Sequence, residues 1–369
     1  MANGRDRLPQ FLPVLMILLF KGVTSDIERS GFDENSFSRF DELYGASHDQ
    51  FPDFYNVPLH PVENPFWQSP ENLGEISGVA VDPTGKVVIF HRSDRTWNYD
   101  TFDENGEYQE KYKGPIHSNT VLTLDPKSGD IIYGWGNQTF YLPHGIHIDN
   151  FGNVWLTDIA LHQVFKYSPS GVARMVLGQR FEPGSDMEHF CQPTSVAVAP
   201  GGEIVVADGY CNNRIVLFDS RGSPKYSIGE HWISLRIPHG LTILPNREVC
   251  IADRENSRVV CLDIGLSGSS QNPEPPYSIR HRQFGRIFGI TSYRGIIYAV
   301  NGITSSKIQI KGFTVDPVKR SVVGTWGPES SLFVRPHAIA VCPNGTALYV
   351  SEIGPNKVWK FDLLQIQLT

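Results

Sequence analysis

The phrase LPHGI at Leu142–Ile146 returns as IPHGL at Ile237–Leu241 and as RPHAI at Arg335–Ile339, and its recurrence decides the fold. In each copy a histidine (His144, His239, His337) follows a proline and opens a short apolar strand. Aligning the rest of the chain on these histidines brings Ser77 in ISGVAVD, Thr194 in QPTSVAV and Phe288 in IFGITSY to the matching position. The successive intervals are 67, 50, 45, 49 and 49 residues. A period of that size, filled with short β-branched runs, predicts an all-β chain folded as a β-propeller, one small antiparallel sheet per repeat around a central channel. Six repeats predict six blades. The histidines fall on alternate repeats, so equivalent residues approach the axis from three directions a third of a turn apart. Three neutral imidazoles with an open fourth position make a catalytic zinc site. The spacing therefore predicts a metal centre in the pore.

Each repeat keeps one order. A first strand such as GIHID or GLTIL runs into a turn rich in Gly, Pro or Asn. A second strand then ends on an acid: VWLTD at Asp158, IVVAD at Asp208, VCIAD at Asp253, LYVSE at Glu352. A polar connection leads to a third strand such as RIVLF or KVWKF. Such runs bounded by turn residues are strands, and no helical period is sustained. The long first interval is explained if NTVLTLD and DIIYGWG are outer strands of blade one, after a loop near Tyr108–Pro115. The recurring acids are expected to bond backbone amides in the following turn.

The 369 residues carry a formal charge of −7 and 40% hydrophobic residues. That is core material for one large domain, and without a Lys/Arg stripe it excludes a nucleic-acid binder. Arg5 and Arg7 before the apolar run Phe11–Phe20 predict a signal peptide over 1–25, cleaved near Ser25, and a luminal or secreted protein. No later segment approaches spanning length. Residues 26–70 hold nine acids and two basic residues without periodicity and read as a flexible lead-in. Its Phe51, Phe54 and Trp67 are expected to lie against the propeller of 71–369. In an oxidising compartment Cys250 and Cys261, flanking a hairpin-like stretch, form one candidate disulfide. Cys191 and Cys211 form a second, leaving Cys342 as a buried thiol. Arithmetic alone leaves this connectivity open. Asn137-Gln-Thr and Asn344-Gly-Thr are sequons for surface turns.

The strings VIFHRSD, YLPHGI, DIALHQVFK, PGSD, HFCQPTSVAV, DGYCNNRIV, ADREN, FGITSY and RPHAIA occur in this order. Together they resemble NHL-type propellers of the peptidyl-α-hydroxyglycine α-amidating lyase family, over roughly Glu75 to the end. The resemblance implies cleavage of the N–Cα bond of a peptide ending in α-hydroxyglycine, giving an α-amidated peptide and glyoxylate. It implies zinc on His144, His239 and His337, a catalytic tyrosine at Tyr210, and active-site arginines at Arg92 and Arg254. It further implies action after a copper-dependent monooxygenase, here a separate polypeptide, with this chain a free-standing, monomeric lyase.

Taken singly these residues have plainer readings: a satisfied histidine, a loop tyrosine, a surface ion pair. Three of six equivalent positions at alternate blades favour metal, whereas His91, His147 and His162 lack the pattern and read as structural. Relatives also hold calcium through carbonyls matching Val79 and Ile146 and a carboxylate directly after the third histidine. That position is Ala338 here, which offers calcium no side-chain oxygen. Arg335 replaces the methionine usual two residues before His337. The alternatives are a non-catalytic propeller binding a peptide or protein and, ranking third, a calcium-dependent lactone or ester hydrolase. The hydrolase would line its axis with Asp, Glu and Asn rather than histidine.

Overall fold

The computed structural model describes residues 59–272 and 274–365. The expected signal segment, Phe51 and Phe54, and most of the acidic lead-in lie outside the described residues. The chain forms six four-stranded antiparallel sheets. Their innermost strands are Ile76–Val81, Pro143–Ile148, Ser195–Val198, Pro238–Ile243, Ile287–Tyr293 and Pro336–Val341, in blades 1 to 6. Each packs beside the next, and the first meets the last, so the ring is closed.

Sequence explains the layering. The second strands (Val87–His91, Val154–Asp158, Ile204–Asp208, Val249–Asp253, Ile296–Asn301, Ala347–Glu352) are buried throughout. Neighbouring blades cover both of their faces, so they read as near-continuous apolar runs. Fourth strands such as Ile131–Trp135 and Pro224–Ile228 are mostly exposed edges. Apolar side chains collect into clusters, one at each junction between successive blades, such as Ala197, Val205, Ile251 and Val260 between blades 3 and 4. NTVLTLD and DIIYGWG supply Val121–Leu124 and Ile131–Trp135, the outer strands of blade 1, as the repeat lengths require.

The boundary expected at residue 70 is corrected. His60–Glu63 is the outer strand of blade 6, paired antiparallel to Val358–Leu364 with His60 opposite Leu364. The ring thus closes with hydrogen bonds between distant ends of the chain. Trp67 is buried against Tyr349, ring centroids 5.5 Å apart, and donates to the Asp125 carbonyl. A four-residue strand with one buried position carries too little alternation to be seen in sequence.

The recurring acids hold more than the turn that follows them. Asp158 accepts from the Tyr141 and Leu142 amides before the His144 strand as well as from Ala160 and Leu161 after its own. Asp253 accepts from Arg236 N, and Glu352 from Val334 and Arg335 N, always in the segment that leads into the histidine of the same blade. Asp208 takes the Cys191 amide and pairs with Arg214 Nε at 2.9 Å. Burial pushes its carboxyl up to about 6 against the hydrogen bonds and the arginine that favour the anion. Removing one partner of a buried pair strands the other. Asp208→Ala is expected to cost about 3 kcal/mol, read as a lower unfolding temperature; a variant melting with the parent would refute this anchoring role.

Candidate active site and metal centre

Local geometry turns the histidines inward. In five blades the pairing of first and second strands slips at the aligned position, as between Pro238 and Gly240 and between Pro336 and Ala338. A bulge re-aims a side chain, and here it aims His144, His239 and His337 at the axis. Their ring centroids form a nearly equilateral triangle with sides of 4.9, 4.9 and 4.8 Å. One ring nitrogen from each lies within 4.8 Å of the others, the one such group of His, Cys, Asp or Glu among the described residues.

The other nitrogen of each ring is taken. His144 Nδ1 lies 2.7 Å from the Thr194 carbonyl, His239 Nδ1 2.8 Å from that of Phe288, and His337 Nδ1 2.6 Å from that of Ser77. A carbonyl only accepts, so Nδ1 carries the proton and Nε2 the lone pair. The three acceptors are the three non-histidine residues of the sequence alignment. Alternate blades supply the rings and the blades between them supply the carbonyls that set their tautomer. Burial, aided by the neighbouring imidazoles and by Arg254, and at His144 also by Arg92, holds His144 and His239 well below the usual histidine range. Burial and Arg92 push His337 down to about 3. All three are neutral bases at physiological pH.

Tyr210 projects into the triangle from the turn after Asp208. Its hydroxyl lies 3.0 Å from His144 Nε2 and 3.1 Å from His239 Nε2. Burial raises its phenol, while Arg254 and Arg92 act in the opposite sense. The Arg254 guanidinium sits over the Tyr210 ring at 5.4 Å and over Phe288 at 5.0 Å. Arg92, buried, donates to the Pro143 carbonyl at 2.9 Å and pairs with Glu75 at 2.6 Å. The residues read as site groups from sequence (His144, His239, His337, Tyr210, Arg92, Arg254) therefore meet at one end of the pore.

Three contributors escaped the sequence reading. Trp97, from the long blade 1 connection, stands edge-on to Tyr210 at 4.6 Å and lies under Arg92 at 5.9 Å. Glu75 and Glu255 are the counter-charges of Arg92 and Arg254, the latter pair 3.0 Å apart. Their proximity in sequence, one residue before ISGVAVD and one within ADREN, was the only signal. Ile237, two residues before His239, has φ 55°, a strained value for a β-branched residue. It is held there by Asn213 Oδ1 on its amide and the Arg254 amide on its carbonyl, which knits the Tyr210 and Arg254 turns to His239.

Cys191–Cys211 and Cys250–Cys261 are disulfides, and Cys342 is a buried free thiol. The first lies beside Tyr210 and packs on Gly106, where a Cβ would stand 2.9 Å from Cys191 Sγ. The second joins directly opposed strand positions, closing the hairpin behind Arg254 from its far end rather than clamping the loop itself. Val79, Ile146 and Ala338 line the pore beyond the histidines. His147 lines it too, its Nε2 accepting from Val198 N. His91 bonds the Asn119 carbonyl and the Ser93 amide, and His162 accepts from the Gln192 amide. Arg335 is exposed, its stem over Gly354. Asn137 and Asn344 are exposed.

Fold and site together define an NHL-type propeller with an axial histidine centre. Residues 190–218 and 235–262 match the NHL repeat family. The chain is 45% identical over 323 residues to peptidyl-alpha-hydroxyglycine alpha-amidating lyase 2 of Drosophila melanogaster, spanning 84% of this chain and 78% of that protein. It is 40% identical over 321 residues to peptidyl-glycine alpha-amidating monooxygenase B of Xenopus laevis, spanning 83% of this chain but 36% of that protein. A gluconolactonase from Xanthomonas campestris superposes with a TM-score of 0.55 at 13% identity, covering 83% of this chain and 97% of the other, a likeness of fold alone. The chain belongs to the peptidyl-α-hydroxyglycine α-amidating lyase family, and it is a lyase acting in peptide amidation.

Proposed function

We propose that this lyase breaks the N–Cα bond of peptides ending in α-hydroxyglycine, releasing the α-amidated peptide and glyoxylate, with zinc on His144, His239 and His337. The observation that carries the reading is the set of three Nε2 lone pairs converging on one point with a single hydroxyl between them. Tyr210 can donate to one of its two imidazole neighbours at a time. A cation is the complement such a donor set lacks, and neutral imidazoles at this spacing suit zinc. Zinc bound there supplies Lewis acidity that makes a nearby hydroxyl easier to deprotonate.

The chain's own groups account for the rest. As the C–N bond breaks, the carbinol O–H loses its proton, its C–O bond becomes a carbonyl, and the departing amide nitrogen gains a proton. Tyr210 is placed to accept the first proton and return it to the nitrogen. Its phenol, raised by burial, must come down to do so, and Arg254 and Arg92 provide the favourable field. An arginine that is not fully consumed by its own carboxylate can also grip the substrate carboxylate. The half-buried Arg254, between two aromatic faces, fits that role better than Arg92, which is tied to Glu75 and Pro143.

Calcium does not fit in the same way. Ala338 offers no side-chain oxygen beside Val79 and Ile146, and no acidic cluster replaces it among the described residues. No step is assigned to that ion. The hydrolase alternative fails on the same ground, since the axis presents imidazoles. The scaffold alternative rested on Ala338 and Arg335, and Arg335 is exposed with its stem over Gly354.

The reading places the protein in the secretory lumen, downstream of a copper-dependent monooxygenase, as a monomer with glycans on Asn137 and Asn344. No helix among the described residues is long and apolar enough to cross a membrane. The test is glyoxylate release from a short α-hydroxyglycine peptide by chelator-stripped and zinc-restored protein. Release that returns with zinc supports the reading. Equal release by fully stripped protein refutes the metal, and no release in any metal state refutes the reaction.

A further inference from the structure

The rim of the pore is not uniform. Blade 4 begins its first strand at Pro238, ends its second at Asp253 and starts its third at Arg258, and these three are register partners. The segment 229–237, the turn Arg254–Asn256 and the start of the third strand therefore share the His239 end of the blade. Beside them lies an open groove of about 490 Å³ lined by Trp232, Asn256, Arg258, Ser278 and Arg280. Trp232 is 80% exposed. Such a surface tryptophan beside arginines is the composition of a binding hot spot rather than of ordinary surface.

One short turn links this groove, which lies over the third and fourth strands of blade 4, to the active-site arginine. Arg254 points into the pore, and two residues later Asn256 accepts from Arg280 Nη1 at 2.9 Å and donates to the Ser234 carbonyl at 3.0 Å. Between them Glu255 bridges Arg254 and the exposed Arg286, at 3.0 Å from each. The segments 229–237 and 280–286 carry four exposed arginines (Arg236, Arg280, Arg282, Arg286) against one carboxylate, Glu230. Asp253 and Glu255 are already engaged by Arg258, Arg254 and Arg286. The bank faces solvent with a surplus of positive charge.

We propose that this groove is a subsite for the stretch of substrate peptide upstream of its terminal hydroxyglycine, and that it selects acidic side chains there, with Trp232 packing against the peptide. The inference rests on the proposed reaction: a peptide whose last residue sits at Tyr210 must leave the pore over the rim. The blade 1 connection, with Trp97 against Tyr210 and Gly106 against Cys191–Cys211, walls another part of that rim. Complementary rim charges act mainly on association and are screened by salt.

Three substrates test it: a capped dipeptide ending in α-hydroxyglycine, and two longer peptides with either glutamates or lysines at the third to fifth positions from the end. At low ionic strength kcat/KM is expected to be roughly three- to tenfold higher for the glutamate peptide, through KM, and to converge in high salt. Arg280→Glu should reverse the order and Trp232→Ala should weaken both long peptides, while the dipeptide is unaffected. The second readout needs no turnover: the already amidated glutamate peptide should change tryptophan fluorescence on binding, and this response should shrink in Trp232→Phe to the part contributed by Trp97 beside Tyr210. Equal kcat/KM for the two long peptides, or a fluorescence response unchanged by Trp232→Phe and Arg280→Glu, would overturn the subsite. Failure to cleave even the dipeptide would count against the proposed reaction, and the fluorescence arm would still decide the groove.

Discussion

His239→Ala is expected to abolish zinc retention and lower glyoxylate release by at least about 10³-fold, the several kcal/mol a bound Lewis acid contributes. The effect should be this large because His239 has no substitute. Its Nε2 is one corner of a triangle whose remaining corners, His144 and His337, belong to other blades. Two imidazoles without a third leave zinc short of the ligands its sites require. The fold should persist, since His239 sits at a bulge outside the regular ladder of blade 4. Metal content by elemental analysis, circular dichroism and turnover on one preparation make the test. Full zinc occupancy in a folded variant would remove His239 from the centre, and with it the axial geometry on which the reading depends.

Tyr210→Phe should separate chemistry from metal binding. The substitution deletes one oxygen and keeps the ring, so the edge contact with Trp97 at 4.6 Å and the stacking of Arg254 at 5.4 Å remain available. Zinc content and unfolding temperature are expected to stay near those of the parent. Turnover should fall by about 10² to 10⁴, the usual contribution of a placed general base or acid, and the loss should appear in kcat more than in KM. A variant with parental kcat would mean that another group moves the proton. One that loses zinc together with activity would make the tyrosine a ligand or a support for ligands.

How far the sequence reached can be seen at particular residues. His144, His239 and His337 were legible because a propeller repeats its backbone, so an aligned position in sequence is an equivalent position in space. The same repetition made the strands legible, including the outer pair of blade 1 after its long connection. Tyr210, Arg92 and Arg254 came from resemblance, since nothing in their local spacing distinguishes them from other loop residues. Trp97 was missed because it reaches Tyr210 across 113 residues, from an irregular segment without period.

By itself the amino-acid sequence determined the number of blades, the inward positions and the identity of the three rings, because these follow from periodicity along the chain. Only the tertiary structure decided which nitrogen of each ring faces the pore, since His337 takes its tautomer from the carbonyl of Ser77, 260 residues away. The same holds for closure of the ring by His60–Glu63 and for the coupling of Arg254 through Glu255 to Arg286. Backbone carbonyls carry no side-chain signature, and ring closure joins residues that no local pattern relates. Such properties arise when distant segments come within hydrogen-bonding distance, and a linear pattern does not encode them.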